Sequence, residues 1–300
     1  MILTSYSTLP YAFSPNPIVD LQRIFSFPFM QHAFEAGTLV AIIAGIVGYF
    51  VVLRRSSFSA HALSHIGFSG AAAAVLLGVA PVYGLLVFTS LGGLGIAALG
   101  KRAASRDVQI GTVLAFFLGL GVLFLALYKS YAEQAYSILF GEVLGVSASG
   151  VLLTLAATVV ILVVAALIYR PLLFASLDED VAEAKGMPVL WLGVIFMLLV
   201  AVTTSFAVQV VGVLLIFALM VTPAAIAQML ASRPRQVIIL SVAIALFATW
   251  LGLFIAFYTP YPVSFFITAI VFILYLFVRF IVPRIRNLRS RVNDHIAPHA

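Results

Sequence analysis

Apolar runs of membrane-crossing length, following one another and separated by short charged joints, leave this chain few ways to fold. The first run is Phe34 to Leu53, closed by Arg54-Arg55; others follow at about 62–79, 83–100, 110–128, 150–170, 188–207, 210–230, 237–257 and 263–282. A bilayer core about 30 Å thick takes roughly 20 apolar residues per helical crossing. The pattern therefore predicts an all-α fold, a polytopic membrane helical bundle of about nine transmembrane helices. Composition agrees: with 64% hydrophobic and 9% charged residues, water-facing surface exists only at the joints, and no soluble catalytic domain fits between them. Cysteine is absent, which excludes disulfides, thiolate metal sites and cysteine nucleophiles. Histidine, carboxylates and backbone remain as strong metal ligands.

A pI near 9.7 invites a nucleic-acid reading, but the positive charge gathers along one membrane face and is a topology signal. If the Arg54-Arg55 joint is cytoplasmic, alternation places Lys101, Arg102, Arg106, Arg170, Lys185, Arg233, Arg235, Arg279 and the tail arginines on the same side. Of sixteen basic residues only Arg23 and Lys129 fall opposite, so the N-terminus is expected outside and the C-terminus inside. The chain is expected to divide into an interfacial, extracytoplasmic segment at 1–29, a transmembrane domain at 30–283 and a basic cytoplasmic tail at 284–300. Prolines at 10, 15, 17 and 28 and the lack of a basic leader region distinguish the first segment from a signal peptide.

Two glycine motifs fail on context. Gly95 to Lys101 matches the first seven positions of a P-loop, but Arg102 stands where a hydroxyl for Mg²⁺ belongs, and the run ends a hydrophobic span. Gly93 to Ala98 resembles a dinucleotide fingerprint with no strand around it, so these glycines read as helix-packing positions. Transport against a gradient would need ATP hydrolysed by another subunit.

The informative segment is Arg54 to Gly70, which places His61 and His65 four residues apart on one helical face. They are the two histidines inside expected spans, where an ionisable side chain usually faces a polar path or a partner. Such a pair can supply two ligands to one metal ion, incomplete in the way a site that must also release its ion should be. The same spacing suits two imidazoles that hydrogen-bond across helices as packing. Ser57, Ser59, Ser64, Gly67 and Gly70 around them suggest a broken or closely packed helix. On the cytoplasmic side, Asp178-Glu179-Asp180 through Glu183-Ala184-Lys185-Gly186 reads either as a short helix with acids at its N-terminal end and a glycine stop, or as a solvated linker.

Taken in order, Leu53-Arg54-Arg55, Ala60-His61-Ala62-Leu63-Ser64-His65 and Leu77-Gly78 resemble the permease subunits of zinc/manganese ABC importers, the ABC-3 family. Tyr136 to Glu142 with Val146-Ser147 looks like that family's external segment, Asp178 to Pro188 like its coupling segment, and Val211 to Leu215 with Thr222-Pro223-Ala224-Ala225 like its late pore helix. The resemblance covers roughly residues 28–285. It implies a non-enzymatic subunit in a bacterial plasma (inner) membrane, without a permanently bound cofactor. It also implies as partners cytoplasmic ABC ATPase subunits, an extracytoplasmic metal-binding protein and a second permease copy in a homodimer, with no nucleic acid. The ATPases would dock under Asp178, Glu179, Asp180, Glu183, Lys185 and Gly186. The family usually has Gly-Asp-Ala-Leu-Ser-His, whose Asp and His line the translocation path and bind metal, so by position those roles pass to His61 and His65. Exchanging a hard carboxylate for imidazole favours Zn²⁺ as the transported divalent metal, with Mn²⁺ or Fe²⁺ in the same kind of system as alternatives.

Other candidates are weaker. His32 and Glu35 could hold a cation at the outer mouth of the first span or form an interfacial pair. Glu133 and Glu142 could meet a donor protein or remain hydrated, Gln209, Thr222 and Gln228 lie near the late pore helix, and His295 and His299 read as a solvated tail. A self-contained secondary carrier or channel for a cation or proton would use the same histidines as relays. A metalloprotease is excluded because Ala62 stands where its glutamate belongs.

Overall fold

The computed structural model describes residues 17–98, 103–128, 139, 141 and 143–296. Among the described residues the elements run α1 (Pro17–Phe25), α2 (Pro28–Leu53), α3 (Ser57–Leu76), α4 (Pro81–Ala98), α5 (Ala103–Ala126), a 3-10 turn (Val143–Gly145), α6 (Ala148–Leu177), α7 (Glu179–Ala184), α8 (Val189–Val211), α9 (Val213–Leu230), α10 (Pro234–Phe257) and α11 (Val263–Ile296). No strand occurs among them, so each long segment satisfies its own backbone, as hydrocarbon requires. Helix α2 begins six residues before the apolar run does, because Pro28 at its first turn has no N–H to lose and a φ already helical.

Eight helices (α2, α4, α5, α6, α8, α9, α10 and α11) are long and apolar enough to cross a membrane. The remaining expected crossing, α3, has 20 residues but carries four serines and both histidines of the pair. It is packed against α4, α5, α8 and α9, which buries Ser59, Ser64 and Ser69 and half-buries the two histidines. Helices α2 and α8 are also interior elements: 67% and 72% of their apolar windows are buried, against 17% for α5 and 22% for α11, which places those two at the periphery. Being apolar all round, α2 can be enclosed on every side, and it touches α6, α8, α9 and α10.

Lipid tails are as apolar as the helices, so close packing and hydrogen bonds between helices hold such a bundle together. Gly70 of α3 and Gly84 of α4 lie backbone to backbone, and a Cβ on either would overlap the other's carbonyl. Of the fingerprint-like glycines, Gly93 does sit against α8 at Met197 and Ala201, whereas Gly95 faces open space. Ser69 donates to the Phe117 carbonyl on α5, Ser241 of α10 donates to the Gly45 carbonyl of α2 at 3.0 Å, and the hydroxyls of Thr89 and Ser205 meet at 2.6 Å between α4 and α8. Each such bond stabilises a membrane protein by about 0.6 kcal/mol.

The two ends of the bundle are built differently. At the basic end, Arg54 Nη1 donates to Ser176 Oγ at 3.3 Å and its guanidinium lies 5.4 Å from the Phe196 ring centroid, joining the α2–α3 corner to α6 and α8. At the other end the rings of Phe27 and Phe257 stand 5.9 Å apart, and fully buried Asp20 reaches Arg23 at 3.9 Å. Burial, and the neighbouring Asp20 carboxylate, push the Tyr258 phenol above its usual range. Gly141, at φ 74°, abuts the α8–α9 turn at Gly212, where φ is 86° and ψ 164°. The small residue at 141 thus serves a loop-to-turn contact.

Candidate functional site

The chain leaves α2 through Arg55, whose φ of 53° is left-handed, and enters α3 at Ser57. Bulky non-glycine residues seldom hold that conformation, so the corner is specific. One helical turn on comes His61, and another turn on His65. Their rings meet edge to face with centroids 4.7 Å apart and planes at 82°. Two imidazoles bound to one ion through N–metal bonds of about 2.0–2.1 Å at a tetrahedral angle would stand about 5 Å apart by the same measure. The centroid separation of the pair is of that order. The ring of Phe217 on α9 packs edge-on to His61 at 4.8 Å and 65°.

Both imidazoles are half-buried, and both Nδ1 atoms are buried with no hydrogen-bond partner in the protein. A hydrogen bond from either ring to a neighbouring helix, the packing role that the spacing also allowed, is absent among the described residues. No group of three or more His, Asp or Glu side chains gathers among them either, so the described residues bring two imidazoles to this point and no carboxylate. His32 and Glu35 lie one turn apart on α2, Glu35 exposed and His32 half-buried, without a hydrogen bond between them.

The acidic segment is an ordered helix and not a linker. Asp178 caps α7 by accepting from the Val181 N–H at 3.0 Å, and Glu179 and Asp180 occupy the first turn, where the positive end of the helix dipole favours them. Gly186, at φ 77°, closes it, with its N–H on the Glu183 carbonyl at 2.9 Å. Ala182 is fully buried against Ala175, Val189 and Leu192, which clamps α7 to the end of α6 and the start of α8. The Lys185 ammonium lies 5.1 Å from the Phe174 ring centroid. Asp178, Asp180, Glu183, Lys185 and Gly186 are exposed.

At the opposite end a cavity of about 220 Å³ is lined by Ser147, Gly150, Thr154 and Gln209 among others, and the buried Gln209 Oε1 has no partner. The Gln228 amide nitrogen is likewise buried and unpaired. Lys101, Arg102, Lys129, Glu133, Tyr136, Glu142 and His299 lie outside the described residues. Phe217 and the partners of Arg54 escaped sequence reasoning, since nothing local distinguishes one phenylalanine or serine from the many others. The unpaired hydroxyls of Thr203 and Thr204 on α8 were also missed, although two adjacent threonines in an apolar span were a usable signal.

Comparison with known proteins supplies context for this geometry. The model of the ABC 3 transport family matches residues 26–282. The manganese import system permease protein ScaB of Streptococcus gordonii is 31% identical over 273 residues, 91% of this chain and 98% of the relative. The manganese transport system membrane protein MntC of Listeria monocytogenes is 31% identical over 238 residues, 79% of this chain and 85% of the relative. Among solved structures, PsaBC from Streptococcus pneumoniae in complex with Fab superposes with a TM-score of 0.82 at 31% identity, covering 92% of this chain and all of that one.

Proposed function

The chain belongs to the ABC 3 transport family, and on that premise we propose that it is the membrane permease subunit of an ATP-driven importer that carries Mn²⁺ across a bacterial plasma membrane. It is a transport subunit, with ATP hydrolysed by a separate ATPase. The observation that carries the cargo assignment is the near end-to-end similarity to permeases named for manganese. In this reading the basic end faces the cytoplasm, an extracytoplasmic binding protein delivers the ion, and two permease copies enclose a path to which each contributes His61 and His65. Exposed α7, with Asp178, Glu179, Asp180, Glu183, Lys185 and Gly186, is the surface on which the ATPase bears. His32 and Glu35 are a further candidate contact for the arriving ion.

Zn²⁺ is the second reading, and one observation favours it. The site offers two imidazoles 4.7 Å apart and no carboxylate among the described residues, a donor set better suited to Zn²⁺ than to Mn²⁺. The test is uptake of radioactive Mn²⁺ and Zn²⁺ by proteoliposomes holding the permease, its ATPase and its binding protein. ATP-dependent Mn²⁺ uptake resisting excess Zn²⁺ supports the first reading, and the converse supports the second. Uptake by the permease alone, without ATP, would overturn both in favour of a self-contained carrier.

A further inference from the structure

Helix α3, which bears the histidine pair, packs chiefly on α4 and α5 and touches α2, its predecessor in the chain, only slightly. Neither α4 nor α5 adjoins α7 in sequence. Helix α3 also packs on α8, the helix that follows α7, and Arg54 adds a directed contact at the basic end. Its guanidinium donates to Ser176, in the last turn of α6, and lies over Phe196 of α8. These two helices are the ones that α7 joins, and buried Ala182 clamps α7 to both through Ala175, Val189 and Leu192. Ser176 is itself held, donating to the Leu172 carbonyl at 2.5 Å. On the other side, the residue after Arg54 is Arg55 in its left-handed corner, and Ser56 closes that corner by donating its N–H to the Val51 carbonyl at 2.9 Å and its hydroxyl to the Arg54 carbonyl at 3.3 Å. Ser176 and Phe196 thus lie on the two helices that hold α7, and both contact the residue that precedes the α2–α3 corner.

We propose that Arg54 is a positioning residue that transmits movement of α7 to the helix carrying His61 and His65. This rests on the reading of α7 as the surface on which an ATPase acts. The guanidinium suits the task because it combines a directed donor with a flat cation that stacks on an aromatic ring. The contact is part-buried, where such bonds are screened less than at an open surface.

The natural absence of cysteine allows spin labels at introduced sites in the full complex with its ATPase, one at exposed Leu190→Cys just past α7 (the α7 label) and one at exposed Phe58→Cys at the start of α3. Distances from each label to a fixed label on the far end of α10 are measured by pulsed EPR with and without a non-hydrolysable ATP analogue. The expected result is that both labels shift in the parent protein, whereas with Arg54→Gln the α7 label still shifts and the α3 label does not. Arg54→Lys, which keeps the cation and a donor, should restore part of the α3 shift. The double variant Ser176→Ala, Phe196→Leu keeps the arginine and removes its two partners; it should behave as Arg54→Gln does, and decides the matter if Arg54→Gln fails to insert. An undiminished α3 shift in these variants would overturn the role of Arg54 and leave the function intact. If neither label responds to nucleotide in the parent complex, the reading of α7 falls and the inference with it.

Discussion

His61 stands edge-on to Phe217, ring centroids 4.8 Å apart, so that the imidazole on α3 is braced by α9, the helix that follows Gly212. A ring pair of this kind contributes about 0.5–1.5 kcal/mol beyond area burial. Phe217→Ala should free the imidazole and weaken metal binding about two- to tenfold by that energy, while Phe217→Tyr keeps it near the parent value. Titration of the detergent-solubilised complex with Mn²⁺ and Zn²⁺ checks this. Equal affinities in all three proteins would show that Phe217 does not position His61.

On the proposal that His61 and His65 share one ion, removing one imidazole should be more severe. His65→Ala is expected to lower metal affinity by at least about 10- to 100-fold, the range seen when even a supporting group of a metal site is lost. Membrane insertion and ATPase assembly should persist. His61→Asp restores a hard carboxylate and should move the Mn²⁺-to-Zn²⁺ uptake ratio toward Mn²⁺. A ratio unmoved by that exchange would remove residue 61 from the coordination sphere.

The turn between α8 and α9 depends on a residue without a Cβ, because φ 86° with ψ 164° is a region open essentially to glycine. Gly212→Ala should cost about 1–3 kcal/mol from backbone strain. Gly141→Ala acts on the same contact, since its Cβ would press on the Gly212 nitrogen and the Val211 carbonyl carbon. The two losses should therefore combine non-additively by about 0.5 kcal/mol or more in detergent thermal melts. Strict additivity would mean that the two glycines are independent.

Tyr258 supplies a pH dependence of definite sign. Its phenol is held above the ordinary value of 10.0, so above about pH 10 the unfolded chain loses this proton before the folded one does. The unfolded state then binds fewer protons and stability falls as pH rises, whereas below pH 10 the contribution is fully present. Tyr258→Phe should flatten the alkaline limb of a plot of melting temperature against pH. A limb equally steep in the variant would assign the effect to other tyrosines.

Much of the architecture was readable from local pattern. Apolar runs forecast the crossings, Pro28 and Gly186 mark helix ends, and the four-residue interval between His61 and His65 announced their shared face. The acidic segment was legible as one of two possibilities, and the Asp178 cap with buried Ala182 decides for the helix. The polarity of α3 also followed from its residues, but its enclosure by four other helices did not.

What the sequence by itself determined is whatever one helix must settle alone. In hydrocarbon each segment has to pair its own N–H and C=O groups, so span length, caps and the face on which a residue lies follow from neighbours within a turn or two. Tertiary structure decided which faces meet. Arg54 finds Ser176 across 122 residues, His61 finds Phe217 and Gly141 finds Gly212, although no local signal marks these partners. Between helices in lipid the deciding forces are shape-fitting of small residues and a few hydrogen bonds, and these exist only once two distant surfaces are brought together.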